Sequence, residues 1–427
     1  MGIFRLREHG TTISAEALAG VTTFLTMAYI IFVNPAILGD AGMDKGAVFV
    51  ATCLAAAIGS LAMGLYANYP IALAPGMGMN AYFAYGVVLG MGHSWQVALG
   101  AVFVSGVLFL ILAVTRVREY IINAIPHSLK LAISAGIGLF LGIIALKNAG
   151  IIVAHPATLV TLGTLKAPPV ILACLGFFAM VAMDVRRVPG ALMIAILGTT
   201  AAGMVLGVTP YGGLVAAPPS IAPTFLQLDL AGALHVGLIT IIFAFLFVDL
   251  FDNAGTLIGL AHRAGLLDEK GRLPRIGRAL VADSIAAMVS GLLGTSTTTS
   301  YIESAAGIKA GGRTGLTAVF VALLFLCALF LAPLAGSIPP YATAPALLYV
   351  ACLMARGLAE IDWDDLTETV PAVVTALAMP LTFSIAHGIS FGFMSYAAIK
   401  LLSGRWRDIH PAVAILAVAF VAKYAVL

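Results

Sequence analysis

Charge is the scarcest property of this sequence. Only 10% of its 427 residues are Asp, Glu, Lys or Arg, whereas soluble domains carry about 25%. With 61% hydrophobic residues and a mean hydropathy of +1.07, that deficit excludes a water-soluble globular domain. Cysteine is scarce as well. Cys53, Cys174, Cys327 and Cys352 all lie in apolar runs without C-x-x-C spacing. A disulfide framework or thiolate metal site is therefore not expected, and the four read as small packing residues. The signatures of soluble chemistry are missing too: no P-loop, no zinc pattern and no Ser/His/Asp arrangement. GMGMN at 76–80 has no parallel-sheet context to make it a dinucleotide site. The chain reads as neither an enzyme nor a cofactor protein, with no nucleic-acid partner. Its start, MGIFRLREHGTTIS, lacks a cleavable signal pattern and leads directly into an apolar helix.

What the sequence does have is a succession of apolar runs long enough to cross a bilayer. Spanning backbone must satisfy its own hydrogen bonds, so the fold class is an all-α polytopic membrane protein in contact with lipid. The segments fall at about 14–35, 46–66, 71–90, 94–114, 127–148, 168–185 and 190–208. A Pro/Gly-rich connection at 209–233 follows. Further segments lie at about 234–260, 279–293, 295–310, 314–335, 342–358, 367–386 and 388–403. A tail, Pro411–Leu427, is only just long enough to cross. The first repeat is thus 1–208 and the second 234–427, with 14 transmembrane segments in all.

Basic residues set the orientation. With the N-terminus cytoplasmic, Arg5, Arg7, Arg116, Arg118, Arg186, Arg187, Arg263, Lys270, Arg272, Arg275 and Arg278 all fall inside. So do Lys309, Arg313, Arg356, Lys400, Arg405 and Arg407, while Lys45, Lys147 and Lys166 stay outside. His127, His155, His235 and His262 read as membrane-edge residues, His387 as a boundary residue, and Asn34 before Pro35 as a helix end.

Segments 3 and 10 are interrupted. Pro70, Pro75, Gly76 and Gly78 forbid regular helix until about Met79. Thr295–Ser300 is hydroxyl-rich and β-branched, which favours extended backbone until a helix starts near Ser300. Each segment is therefore a short extended piece followed by a half-helix. Both are third in their seven, which points to a transporter site. An odd number per half requires the halves to be inverted, a 7+7 inverted repeat. Two unrelated re-entrant loops are the plainer alternative.

The eighth segment carries Asp249, Asp252 and Asn253 at i, i+3 and i+4, on one helical face. Each Asp costs roughly 2.5–3.5 kcal/mol at mid-membrane, so that face must look into protein. A substrate or ion cavity is the first reading and a buried polar lock the second. Glu303 opens the half-helix of segment 10 beside Thr298 and Thr299, and Asn80 opens that of segment 3. Half-helix N–H groups with carboxylates suit a small planar ligand bearing donors and acceptors, such as a nucleobase. Tyr82, Phe83, Phe245, Phe251 or Tyr301 could stack on it. Asp283 is either a proton carrier or a helix-start acid. Burial would raise such carboxyls toward the range where protons exchange, so H⁺ is the expected coupling ion, with Na⁺ left open.

FLTMAYIIFVNP, APGMGMNAYF, FVDLFDNAGTLIG, GTSTTTSYIESAAGI and GGRTGL occur in order across nearly the whole chain. Together they resemble the AzgA-like purine permeases of the nucleobase–cation symporter-2 superfamily. The resemblance implies short antiparallel strands in segments 3 and 10. It also implies a core domain of about 14–114 plus 234–335 and a gate domain of about 127–208 plus 342–427. By motif position, Asp252 and Glu303 would bind the base, supported by Asn80. Asp249 and Asp283 would serve geometry or proton coupling. It further implies elevator-like import of hypoxanthine, guanine or adenine with H⁺, a gate-mediated homodimer, and the plasma (inner) membrane. An anion transporter of the same fold would want a cation where Glu303 stands. A cation channel is the other alternative.

Overall fold

The computed structural model describes residues 3–115, 125–235, 239–263 and 274–426. Arg116, Arg118, Lys270 and Arg272 lie outside the described residues, as do the side chains of Phe251, Asp252, His262 and Arg263.

The first apolar run forms two helices end to end, α1 (Ile13–Met27) and α2 (Ile30–Asp40). The helix does not end at Pro35 but continues through it. A proline's missing N–H and its ring loosen the preceding turns, and the chain opens upstream, at Ala28–Tyr29. Asp44 caps α3 (Lys45–Ala62) by accepting from Ala47 N at 2.7 Å. A π-helical turn, Met63–Ala67, extends α3.

Segment 3 is strand β1 (Leu73–Pro75), then α4 (Met77–Ala81), continuing as π-helix over Tyr82–Gly90. The helix starts two residues before the predicted Met79, because Gly76 takes the extended cap conformation. Next come α5 (Trp95–Thr115) and α6 (His127–Asn148). An exposed hairpin of β2 (Ile152–His155) and β3 (Leu159–Leu162), unforeseen from sequence, leads to α7 (Pro168–Val185) and α8 (Ala191–Val205).

The second half has α9 (Ile239–Arg263), α10 (Ile276–Leu293), strand β4 (Thr298–Ser300) and α11 (Ser304–Lys309). The half-helix begins at Ser304 rather than near Ser300, because pairing with β1 runs on to Tyr301 and a turn at Ile302–Glu303 follows. Then follow α12 (Gly315–Ala328), α13 (Pro340–Ala355), α14 (Leu366–Thr382), α15 (Ile385–Leu402) and α16 (Pro411–Val426). Among the described residues, nine helices are long and apolar enough to cross a membrane, beside shorter apolar ones.

β1 and β4 pair antiparallel, with Leu73 opposite Ser300, Ala74 opposite Thr299 and Pro75 opposite Thr298. Gly76 N donates to Thr297 O at 3.0 Å and Tyr301 N to Ala72 O at 2.9 Å, extending the ladder at both ends. Two glycines admit this crossing. A Cβ on Gly59 of α3 would meet Leu73 and Thr298 at 3.1 Å, and one on Gly76 would meet Thr299 at 2.7 Å.

Helices pack in two sets. α3 lies against α2, α10 and α12, α1 against α12, and α5 against α9 and α10. α6 lies against α13 and α14, α14 against α15, and α7 against α8 and α13. In the second set Lys400, on the last turn of α15, is buried, and its Nζ is 2.7 Å from Glu368 Oε1. Of the cysteines only Cys53 is buried; Cys174 is half-buried, and Cys327 and Cys352 are exposed on helix surfaces. Hydropathy cannot separate a lipid-facing position from a protein-facing one, so in the sequence all four look alike as packing residues.

Candidate functional site

The strand crossing gathers residues from both halves of the chain. Ser60 of α3 holds β1 from behind: Leu73 N donates to Ser60 Oγ at 3.0 Å, and that hydroxyl donates to Leu73 O at 3.1 Å. Ala72 N donates to Ser304 Oγ at 3.0 Å, tying β1 to the first residue of α11. The Tyr301 hydroxyl donates to Pro75 O at 2.7 Å. Asn34 of α2 donates through Nδ2 to Thr52 at 2.7 Å and to Thr295 at 2.8 Å, fixing the approach to β4. All these groups are buried, and each bond removes a desolvated donor that would otherwise cost about 1–3 kcal/mol.

Upon this scaffold sit the predicted site residues. The opening between α1 and α2 places Tyr29 against Glu303, and the Tyr29 hydroxyl donates to Glu303 Oε1 at 2.6 Å. Glu303 stands immediately before α11 and is partly exposed within the protein. Asn80, buried in α4, accepts from Ser296 through Oδ1, so segments 3 and 10 are also joined by side chains. Its Nδ2 has no hydrogen-bond partner among the described residues; nor have Thr297 Oγ1, Thr299 Oγ1, Ser300 Oγ and the Tyr82 hydroxyl. Tyr82 packs edge-on against Phe245 of α9, with ring centroids 4.8 Å apart. Thr298 behaves differently. Ser290 of α10 donates to its hydroxyl at 2.6 Å, so it belongs to the scaffold.

α9 packs against β4, α4 and α11. It carries buried Asp249 and Asn253, and the Asn253 Nδ2 donates to buried Asp283 of α10. Asp283 is therefore more than a helix-start acid: it locks α9 to α10. Asp252 and Phe251 lie on α9 as predicted, but their side chains are outside the described residues.

Sequence reasoning missed Tyr29, whose partner is far away in sequence, and Glu16. Glu16 of α1 is buried and accepts from Arg313 N at 2.9 Å, Thr314 N at 3.2 Å, Thr317 N at 3.1 Å and Thr317 Oγ1 at 2.5 Å. It caps the start of α12, where a helix favours negative charge. Its signal was available: an acid one turn into the first apolar run.

Chemically, the crossing offers a fixed carboxylate, an amide and a row of hydroxyls beside aromatic rings. This suits an uncharged planar solute with hydrogen-bonding edges.

Comparison with known proteins agrees with this architecture. The chain superimposes on the transmembrane domain of a cyanobacterium bicarbonate transporter, BicA, with a TM-score of 0.66. Their identity is 18%, with 88% of this chain and 96% of that one covered, a likeness of fold alone. By sequence it is 53% identical to the adenine permease AdeP of Escherichia coli, over 99% of this chain and 95% of that protein. It is 47% identical to the guanine/hypoxanthine permease PbuG of Bacillus subtilis, over 98% of each. The model of the Permease family, Xan_ur_permease, matches residues 14–400. The chain belongs to this permease family, in its AzgA-like branch, and is an integral membrane transporter and not an enzyme.

Proposed function

We propose that this permease imports purine nucleobases (hypoxanthine, guanine or adenine) by H⁺ symport. It does so in the plasma (inner) membrane with its N-terminus cytoplasmic. One observation carries the choice of substrate class. The fold is shared with a bicarbonate transporter, yet the junction of β4 and α11 holds the Glu303 carboxylate, oriented by Tyr29. An acid there repels an inorganic anion and accepts the ring N–H or amino group of a base. The names of the adenine and guanine/hypoxanthine permease relatives support purines over other bases.

In this reading Glu303 and Asp252 take the donor edge of the base. Asn80 Nδ2 and Thr299 serve its acceptors, and Tyr82 and Phe251 flank its faces. Thr298 is left to the scaffold. Asp249, Asp283 and Asn253 set the geometry of α9, and the carboxyl of Asp249 or Asp283 carries the coupling proton. Segments β1–α4 and β4–α11 are equivalent halves of a 7+7 inverted repeat. The two packing sets support division into a core (about 14–114 plus 234–335) and a gate (about 127–208 plus 342–427). The core moves elevator-like against a gate that forms a homodimer.

The test is uptake of labelled hypoxanthine by cells lacking their own purine permeases. Unlabelled adenine, guanine, xanthine and uracil compete, with and without a protonophore. Saturable, protonophore-sensitive uptake blocked by purines and not by uracil is expected. Bicarbonate uptake without purine competition, or an ohmic current, would overturn the reading.

A further inference from the structure

A cavity of about 510 Å³ lies away from the strand crossing, where the N-terminal segment meets the end of α3 and the start of α10. Its size falls within the roughly 300–1,000 Å³ common for small-ligand sites. Arg5, Arg275 and Arg278 line it together with Glu8 and His9. Glu8 lies 3.5 Å from Arg5. Three guanidiniums against one carboxylate leave two positive charges in the lining when His9 is neutral.

Arg275, the cap of α10, and Arg278 within it each stack on a tyrosine ring. Arg275 lies over the Tyr69 ring at 5.3 Å from its centroid, and Arg278 over Tyr66 at 5.8 Å. Stacking orients a guanidinium and leaves its N–H fork available. Among the described residues neither forms an ion pair with a carboxylate. The backbone turns sharply here. Arg5 at φ +49°, Asn68 at φ +56° and Arg275 at φ +63° all occupy the left-handed region, rare for residues with bulky side chains. Asn68 is pinned in that conformation, because Gly315 N donates to its Oδ1 at 2.7 Å. Exposed Ile3 and Leu65 add an apolar edge to the same cavity.

We propose that this cavity binds a phosphate-bearing anion through Arg5, Arg275 and Arg278, either the headgroup of an acidic lipid or a soluble phosphate. Forked donors match phosphate oxygens bidentately, and basic pockets between transmembrane helices hold acidic headgroups. The site is separate from the transported solute and does not depend on its identity.

The full-length protein in detergent would be titrated with phosphatidylglycerol, phosphatidylcholine or inorganic phosphate. Lipid binding is read by native mass spectrometry and phosphate binding by calorimetry. One saturable site, weakened by salt, is expected for phosphatidylglycerol or for phosphate, with phosphatidylcholine much weaker. Saturation by phosphatidylglycerol alone identifies a lipid site; saturation by inorganic phosphate identifies a soluble ligand. Arg5→Gln and Arg278→Gln should each weaken binding about tenfold, the loss of one charge-assisted contact. Wild-type affinity in both variants would overturn the proposal. If neither variant folds, the wild-type titrations decide: equal binding of the two lipids with no phosphate binding overturns it.

Discussion

Glu16 and Glu303 are acids at the starts of helical segments, in opposite circumstances. The Glu16 carboxylate collects three backbone N–H groups and a hydroxyl around α12. Glu303 takes the Tyr29 hydroxyl, and the same strand crossing carries an amide and hydroxyls with no hydrogen-bond partner among the described residues. The first is a saturated anchor that locks α1 to α12. The second belongs to a strand crossing where Asn80 Nδ2 and the hydroxyls of Thr297, Thr299, Ser300 and Tyr82 have no partner among the described residues. Leaving buried polar atoms unpartnered costs about 1–3 kcal/mol each, and that cost makes sense where a solute supplies the missing partners. The contrast lies in what surrounds each acid: backbone donors of a helix start for Glu16, and a tyrosine hydroxyl for Glu303.

The sharpest way to break this contrast is Glu16→Ala. It leaves several buried N–H donors of α12 unpaired and should cost about 3–5 kcal/mol of stability. Thermal unfolding should fall by many degrees, while the purine Kd of surviving protein stays unchanged. A weakened Kd with normal unfolding would reverse the roles assigned to the two acids.

Glu303→Gln should do the opposite. Replacing the charged acceptor should weaken purine binding by about 2–3 kcal/mol, roughly 30–150-fold in Kd, with little change in unfolding temperature. Calorimetric titration with hypoxanthine measures it, and normal binding would remove Glu303 from the site. Tyr29→Phe keeps the ring and removes only the donor, so a smaller loss of about 1 kcal/mol, near fivefold in Kd, is expected. Thr298→Val offers a finer test within β4. If Thr298 belongs to the scaffold, purine Kd should stay within about twofold, while Thr299→Val weakens it by about 1 kcal/mol.

The smallest effect lies far from both acids. Asp365 caps α14, and the Thr367 hydroxyl and the Arg405 guanidinium hold its carboxyl well below the ordinary range. A folded-state pKa below the unfolded one contributes stability above the unfolded value and loses it as pH falls toward the folded value. Asp365→Asn should therefore lower the unfolding temperature slightly at pH 7. The difference from wild type should shrink as pH drops below about 4, the ordinary carboxylate range.

Much of this was legible in sequence because membranes write their constraints locally. Long apolar runs had one way to satisfy their backbone, so the helices stand close to where hydropathy put them. Prolines and β-branched hydroxyl residues refused helix in two places, and both became strands. The i, i+3, i+4 spacing of Asp249, Asp252 and Asn253 required one protein-facing stripe, and buried Asp249 and Asn253 agree. The misses share a cause. Asn34 before Pro35 read as a helix end by local rule, but packing carried the helix on to Asp40. Cys327 and Cys352 read as packing residues because an apolar run does not say what it faces.

By itself, then, the sequence determined that the chain lives in lipid, where its helices run, where they break and which acids cannot face the bilayer. Each follows from the cost of exposing charge or unpaired backbone to hydrocarbon, a cost set residue by residue. Tertiary structure alone decided that β1 meets β4, pairing Leu73 with Ser300 and Pro75 with Thr298 from opposite halves of the chain. It also decided that Tyr29 reaches Glu303, that Thr298 serves the scaffold, and that Lys400 is buried on Glu368. Those pairings depend on which surfaces come together, and no local free energy in the chain distinguishes one distant partner from another.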